Sequence, residues 1–226
     1  MGRICYTFLK STPLEEPMFS FLSPDSRFMQ GLSRFADLVI LNILLLLTSL
    51  PLFTVGASVS AAYTLTFRML RGKEEPIVKS YFRAFRDNFR QGTALWLLFL
   101  FVAGPALFYF DRFYTMEGVV HYLFVPFLSV FALAVFAGSF AFPLTSQFQN
   151  SFGGTLLNAL LLTLGNLPRA MAAAAVNLLP CGLFLFQYEL FWKASFLWLS
   201  LYFAAAAYIN TAILWKVFKP FYPEET

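Results

Sequence analysis

The sequence has few ionisable side chains. Only 12% of its 226 residues are charged, whereas soluble domains carry about 25%. Hydrophobic residues make up 59% of the chain, and 30 residues are phenylalanine. This composition excludes an ordinary soluble globular domain and predicts an integral membrane protein without a separate soluble domain. It also excludes a nucleic-acid-binding module, which needs a polar region to carry its basic patch.

Residue types used in catalysis and metal binding are equally scarce. His121 is the one histidine, and Cys5 and Cys181 have no partner at metal-ligand spacing. The sequence contains no phosphate-holding glycine-rich loop followed by lysine. The carboxylates nearest the apolar segments all fall at segment ends: Asp37, Asp111, Glu117 and Glu189. We therefore expect no enzyme activity, no cofactor, no bound metal and no carrier driven through an intramembrane carboxylate.

An uncharged stretch of 30 residues lies between Asp37 and Arg68. It exceeds the roughly 20 residues that cross a bilayer as a helix. Pro51 removes a helical N–H near its middle, so the sequence predicts a break there. Small residues around Gly56 would let another helix approach closely. Two interpretations stay open, because either a single crossing kinked at Pro51 or a hairpin turning over 51–56 fits this pattern.

Basic residues concentrate in the connection after this stretch. From residue 77 to about 91, apolar residues recur at helical spacing, and cations occupy the other sides of the same helix. The residues assigned to the membrane surface or to partner docking are Phe82, Arg83, Phe85, Arg86, Phe89 and Arg90. The pattern predicts a basic amphipathic helix at the membrane interface, with its cations near anionic lipid headgroups. A docking helix for a cytoplasmic partner fits equally, and one helix can do both.

These segments predict an all-α integral membrane protein, a bundle of about five transmembrane helices with a basic amphipathic interfacial helix. The spans are expected at about 37–67, 93–110, 123–144, 170–187 and 196–217. The first half of the fourth span is alanine-rich, so it offers a second close-packing face over 170–175. A further interfacial or re-entrant helix is expected at about 155–164. The transmembrane domain covers 35–219, residues 1–34 form an interfacial or flexible segment, and residues 220–226 form a tail.

Basic residues also predict how the chain is oriented. With five spans, the 68–90 stretch shares one side of the membrane with Arg169, Lys216 and Lys219, and fewer basic residues share the other side. The positive-inside rule places the richer side in the cytoplasm. We therefore expect the N-terminus outside and the C-terminus in the cytoplasm. A hairpin at Pro51 would instead leave four true spans and move the N-terminus inside.

Several motifs resemble the YesL-like family of small bacterial membrane proteins. The first runs from Leu38-Val39-Ile40-Leu41-Asn42 through Leu50-Pro51 and Thr54-Val55-Gly56-Ala57 to Ala61-Ala62-Tyr63. The second is the phenylalanine- and arginine-rich segment 82–91, and weaker similarity extends through 158–160 and 166–168. The residues of these motifs assigned to helix packing are Asn42, Pro51, Thr54, Gly56, Ala57 and Ala61.

The resemblance implies a multi-pass protein of the cytoplasmic membrane of Gram-positive bacteria, of a kind often encoded beside carbohydrate ABC importers and sensor-kinase systems. It brings no catalytic residues. We therefore expect a non-enzymatic accessory protein whose partners are membrane lipid and either ABC permease subunits or a sensor kinase, and not nucleic acid. The small residues 56–62 and 170–175 and the basic helix would be its contact surfaces.

The alternative is a stand-alone carrier for a neutral solute such as a sugar. Discontinuous helices mark the binding sites of many transporters. The path would be lined by polar residues near the predicted break: Asn42, Thr48, Ser49 and Thr54. An ABC permease itself is disfavoured, because the Glu-Ala-Ala loop that grips the ATPase is missing from the sequence.

Overall fold

The computed structural model describes residues 27–73 and 75–222, and every regular element in this part of the chain is helical. The α-helices are α1 (Arg27–Ser49), α2 (Val55–Leu70), α3 (Ile77–Tyr114), α4 (Phe124–Gln147), α5 (Phe152–Gly165), α6 (Leu167–Phe186), α7 (Tyr188–Lys193), α8 (Ser195–Leu197) and α9 (Phe203–Phe218). Short 3-10 turns cover Leu52–Thr54, Val119–Leu123 and Lys219–Phe221, and a π-helical turn covers Trp198–Tyr202. The predictions for residues 1–26 and 223–226 lie outside the described residues.

Five helical segments within the described residues are long and apolar enough to cross a membrane. They are Met29–Ser49, Ile77–Tyr114, Val119–Gln147, Leu167–Phe186 and Ser195–Phe221, the last of which is called the last span below. The number agrees with the five spans predicted from the sequence and suggests a multi-pass membrane protein. The helix expected at 155–164 is present as α5, which is apolar but has only 14 residues.

The first expected span, 37–67, consists of two helices. α1 ends at Ser49, and a 3-10 turn over Leu52–Thr54 leads into α2 at Val55. Pro51, just before the 3-10 turn, is extended, with φ −74 and ψ 108. An extended residue cannot continue an α-helix, and proline has no N–H to donate to the preceding turn. The break therefore lies where the sequence predicts it.

α2 runs in the same direction as the last span. Near the middle of α2, the Asn210 Nδ2 donates to the Tyr63 OH at 3.2 Å. One turn further along α2, the ring of Phe67 lies 5.6 Å from the ring of Phe218. Residue numbers therefore increase together along the two helices.

The end of α1 runs in this direction too. Asn42 contacts the backbone of Trp198 and Ala204, at the start of the last span. The Thr48 Oγ1 lies 2.9 Å from the Ser58 Oγ, and Ser58 precedes the residues of α2 that contact the later part of the last span. Asn42 in α1 thus contacts the start of the last span, and Phe67 in α2 contacts its end. This order favours the kinked crossing over the hairpin.

The amphipathic helix expected at 77–91 and the span expected at 93–110 are one continuous helix, α3. Its 38 residues extend for about 57 Å, nearly twice the roughly 30 Å hydrocarbon core. Even Pro105 lies inside this helix without ending it. The boundary predicted between 91 and 93 was wrong, because a change in surface polarity does not interrupt backbone hydrogen bonds.

α2 lies at the centre of the packed core. Most of its residues are buried, including Ala57, Ala61, Leu65 and Phe67. It packs against α3, α4 and α9. By its internal contacts the chain divides after Leu38, and all side-chain contacts described here lie in the unit that begins at Val39.

Candidate functional site

α2 and α3 approach so closely at Gly56 and Gly92 that neither position has room for a side chain. A Cβ built on Gly56 would lie 2.1 Å from the carbonyl oxygen of Gly92 and 2.6 Å from the Cβ of Trp96. A Cβ on Gly92 would lie 2.9 Å from the Cα of Ala57. The small residues around Gly56 are therefore covered by the chain itself. Their predicted use as a contact surface for a partner protein was wrong, because α3 already occupies that surface.

Hydroxyl and indole groups hold the break between α1 and α2. The Thr48 Oγ1 lies 2.6 Å from the Tyr81 OH and also contacts Ser58. The Thr54 Oγ1 lies 2.7 Å from the carbonyl oxygen of Pro51. From α3, Trp96 donates its indole N–H to the Leu52 carbonyl at 2.8 Å. These bonds replace backbone bonds lost at the break, whereas the side chains of Leu50 and Leu52 in the same segment stay exposed.

Asn42 forms hydrogen bonds with backbone groups at the π-helical turn of the last span. Its Nδ2 donates to the carbonyl of Leu199 at 2.8 Å, and its Oδ1 accepts from the backbone N–H of Ala204 at 3.0 Å. A π turn displaces the normal α-helical pairing, and an unpaired backbone group in hydrocarbon costs several kcal/mol. The fully buried amide of Asn42 supplies one donor and one acceptor at this point. Asn42 is therefore a cross-link between two spans and is not free to line a path.

A third polar group joins α2, α6 and α9. The Asn210 Nδ2 donates to the Tyr63 OH and, at 2.7 Å, to the Asn177 Oδ1. Asn210 is fully buried, and its Oδ1 has no hydrogen-bond partner among the described residues; the same holds for the Ser60 Oγ. An unpaired buried acceptor costs about 1–3 kcal/mol. The interior thus keeps unused hydrogen-bonding capacity beside the broken crossing.

The first half of α3 turns its arginines and two of its phenylalanines away from α2. Ser80, Tyr81 and Ala84 on the inner side are buried. The residues on the outer side are exposed and share one side of the helix, which we call the basic face: Phe82, Arg83, Arg86, Phe89 and Arg90. Phe85 is half-buried and lies between the two sides. Five of the six residues assigned to the membrane surface or a partner are therefore accessible together.

Phenylalanine and arginine both contribute to the basic face. Phe82 is 50% exposed and Phe89 is 39% exposed. Arg86 approaches the Asp87 carboxylate only at 3.9 Å, with both side chains largely in the open. Such an exposed pair contributes little energy and competes weakly with an external partner.

A carboxylate ties the end of α2 to the start of α3. The Glu75 Oε2 accepts from the Ser80 Oγ and from the Arg68 Nη1, each at 2.7 Å. The hydrogen bond from Ser80 and then the charge of Arg68 hold the pKa of Glu75 below its usual value. The turn also requires Gly72, whose φ of +68 disfavours any other residue. The position of the basic face relative to α2 is therefore fixed at the helix start.

Arg71 ties this end of α2 to α4 and to the end of the described chain. Its guanidinium stacks on the ring of Tyr222, 4.8 Å from the ring centre, and its Nη2 lies 3.4 Å from the Gln147 Oε1. The Tyr222 OH also donates to the Gln147 Oε1, at 2.7 Å. Sequence reasoning missed this cluster, because its members are far apart and no local pattern pairs them.

Groups suited to metal binding are not brought together in residues 27–73 and 75–222. No set of three or more His, Cys, Asp or Glu side chains in that part could hold a metal ion. His121 lies in the turn before α4, with its Nδ1 3.1 Å from the carbonyl oxygen of Tyr114. The absence of enzyme activity stays a prediction.

Residues 38–112 match the model of a protein family described as DUF624, protein of unknown function. The matched region begins near the middle of α1 and ends in α3. It therefore contains the broken crossing, the Gly56–Gly92 contact and the basic face. No curated protein and no solved structure matches the chain. The chain thus contains a region similar to this family, and this region coincides with the structural features described above.

Proposed function

We propose that this protein is a non-enzymatic accessory protein of the bacterial cytoplasmic membrane, and that it docks on another membrane protein through the basic face. The observation that carries this proposal is the accessibility of that face on a helix whose opposite side is fixed. Gly92 packs against Gly56, and Tyr81 against Thr48, so the helix backbone that carries the arginines is held in one arrangement. A pre-organised surface loses less entropy on binding than a mobile one.

The chemistry of the basic face favours an acidic protein partner with an apolar groove. Arg83, Arg86 and Arg90 lie within about 10 Å along the helix axis and can each form bidentate bonds with carboxylates. Phe82 and Phe89 border them and supply apolar anchors. Arginine and aromatic residues are enriched among the residues that dominate interface energies. Following the resemblance, the partner is a carbohydrate ABC importer or its sensor kinase.

Co-purification from the native membrane in mild detergent tests this function. The test variant replaces Arg83, Arg86 and Arg90 together by Gln. The matched control is Arg112→Gln, at the other end of the same helix. We expect permease or kinase subunits in stoichiometric amount with the unmodified protein and the control, and their loss with the triple variant. A protein that purifies alone and moves a sugar into liposomes would overturn the proposal.

A carrier of neutral solutes is the second candidate, and one observation favours it. The unpaired Asn210 Oδ1 and Ser60 Oγ lie near the broken crossing, and discontinuous helices mark transporter sites. However, Asn42, Thr48 and Thr54 are engaged in internal hydrogen bonds. Uptake of a labelled neutral sugar by liposomes, lost in Asn210→Leu, would support the carrier. Equal uptake by protein-free liposomes would reject it.

The proposed orientation places the basic face in the cytoplasm and the N-terminus outside. It rests on the positive-inside rule applied to the five spans. A membrane-impermeant maleimide tests it on Arg86→Cys in a background without Cys5 and Cys181. Labelling only after the cytoplasmic side is opened is the expected result, and labelling of intact cells would reverse the orientation.

A further inference from the structure

A cavity of about 390 Å³ lies between α5, the end of α4 and the end of the last span. It is separate from the basic face. Its volume falls in the range of small-molecule and cofactor sites, about 300–1,000 Å³. Apolar and aromatic side chains form most of the wall, among them Leu144, Phe148 and Phe218. Phe218 is fully buried and forms a fixed part of this wall.

Two amide side chains, of Asn150 and Asn158, supply the polar part of the cavity wall. Neither side chain has a hydrogen-bond partner within the residues that the structure describes, and both are at least partly exposed. Each amide offers two N–H donors and a carbonyl acceptor. On a protein in a membrane, exposed amides without internal partners have to find hydrogen bonds outside the chain. The cavity is therefore equipped to bind a group that accepts hydrogen bonds.

Polarity changes along the cavity. Asn150 precedes α5, Asn158 lies in its second turn, and Leu161 and Leu162 follow on the same helix. From the start of α5 to Leu162 the distance is about 15 Å. Leu161 is 59% exposed, so the apolar end opens to the surroundings. A ligand matching this wall is polar at one end and apolar at the other.

The charge near the cavity is positive. Lys219 is exposed and lies between two wall residues, Phe218 and Phe221, in the chain. The segments that form the wall, within 124–188 and 190–222, contain no aspartate and no glutamate. An anionic group is therefore attracted to this end of the bundle, as anionic headgroups are to basic residues beside membrane segments.

We propose that the cavity binds one phospholipid with an anionic headgroup. Its ester carbonyls accept hydrogen bonds from Asn150 and Asn158, and its phosphate lies near Lys219. One acyl chain lies against Leu144 and Leu161. A free polar solute would leave the apolar end of the cavity without a matching surface.

Native mass spectrometry of the full chain in mild detergent tests this site. The probes are phosphatidylglycerol, phosphatidylcholine and free glycerol 3-phosphate. The test variant replaces Asn150 and Asn158 by Leu, and the control is Gln149→Leu, an exposed neighbour outside the cavity wall. We expect the double variant to retain phosphatidylglycerol about tenfold more weakly than the unmodified protein, and the control to retain it as well as the unmodified protein. We also expect the unmodified protein to retain phosphatidylcholine more weakly than phosphatidylglycerol.

Three results would overturn the proposal. One is equal phosphatidylglycerol retention by all variants, and another is equal retention of the two lipids. The third is binding of glycerol 3-phosphate as strong as that of the lipid, which would indicate a site for a free phosphate compound. If the double variant does not fold, photo-crosslinking of the unmodified protein with a diazirine-bearing phosphatidylglycerol decides. Labels concentrated at 158–162 support the site, and labels spread evenly over the five spans reject it.

Discussion

α2 and α6 carry the same sequence signal but are enclosed to different degrees. Both contain runs of small residues, at 56–62 and at 170–175, and both runs predict a close-packing face. In α2 these residues are almost all buried. In α6 one side of the run is buried, at Ala170, Ala173 and Ala174, and the other is exposed, at Met171, Ala172 and Ala175. The difference follows from hydroxyl content, because α2 interleaves its small residues with serine and threonine, and α6 does not. Small size permits close packing, and the need to pair hydroxyl groups away from lipid decides which helix is enclosed.

Gly56→Leu is expected to have the largest effect. Its first side-chain carbon would already lie 2.1 Å from the backbone oxygen of Gly92, and backbone on both sides cannot yield as a side-chain tip can. Overpacking typically costs about 1–3 kcal/mol and more where backbone must move, so we expect loss of the folded protein. Size-exclusion chromatography and thermal melting in detergent measure this. Ala172→Leu on α6 is the matched control and should change the melting temperature little; similar behaviour of both variants would remove the contrast between the helices.

Asn42→Leu is expected to have the next largest effect. It leaves the Leu199 carbonyl and the Ala204 N–H of the π turn without their partner. Unpaired buried groups of this kind cost about 1–3 kcal/mol each, so we expect a loss of about 3 kcal/mol in the free energy of unfolding. Asn177→Leu on α6 should cost less than about 1 kcal/mol, because Asn177 is exposed and its amide bonds no backbone group among the described residues. If the two variants lost the same stability, Asn42 would not be a cross-link.

Local chemistry explains which parts of this fold could be predicted from the sequence. Proline at position 51 and glycine at position 56 act through their own backbone and size, so the break and the need for a close contact at Gly56 can be predicted from the sequence. The continuity of α3 could not be predicted. Its sequence changes from charged to apolar near residue 92, and such a change is also expected where one helix ends and another begins. The partners of Asn42 and Arg71 lie 156 and 76 positions away. Only the packed bundle brings such residues together.

Among the described residues, one side chain, that of Tyr202, donates a hydrogen bond to the backbone of α6, and Tyr202→Phe removes this bond. The Tyr202 OH donates to the Val176 carbonyl, which in a regular helix would accept from residue 180. Residue 180 is proline and has no N–H. We therefore expect Tyr202→Phe to lower the free energy of unfolding by about 1–2 kcal/mol, measured by denaturation in detergent.

A double-mutant cycle with Pro180→Ala sharpens this test. Alanine at 180 supplies the missing N–H, so Tyr202→Phe should become nearly neutral in that background. An equal loss in both backgrounds would mean that the hydroxyl does not act through the Val176 carbonyl. α6 would then be joined to its neighbours by the Asn177–Asn210 hydrogen bond and by apolar packing, and its contrast with α2 would be larger than the structure indicates.

The smallest effect concerns pH and the ends of the two helices. The Glu75 carboxylate holds the end of α2. At the start of α6, Arg169 donates a hydrogen bond of 2.6 Å to the Asn166 side chain, which is an amide and not an acid. Because the hydrogen bond from Ser80 and then the charge of Arg68 lower the pKa of Glu75 in the folded protein, its stabilisation is present above the unfolded-state pKa and is lost as the pH falls through the folded-state pKa. Glu75→Gln should therefore melt slightly below the unmodified protein near pH 7, and the difference should close on acidification. Asn166→Ala is the control and should shift the melting temperature by the same amount at every pH. If the melting-temperature difference between Glu75→Gln and the unmodified protein were also the same at every pH, the carboxylate charge would not hold this turn.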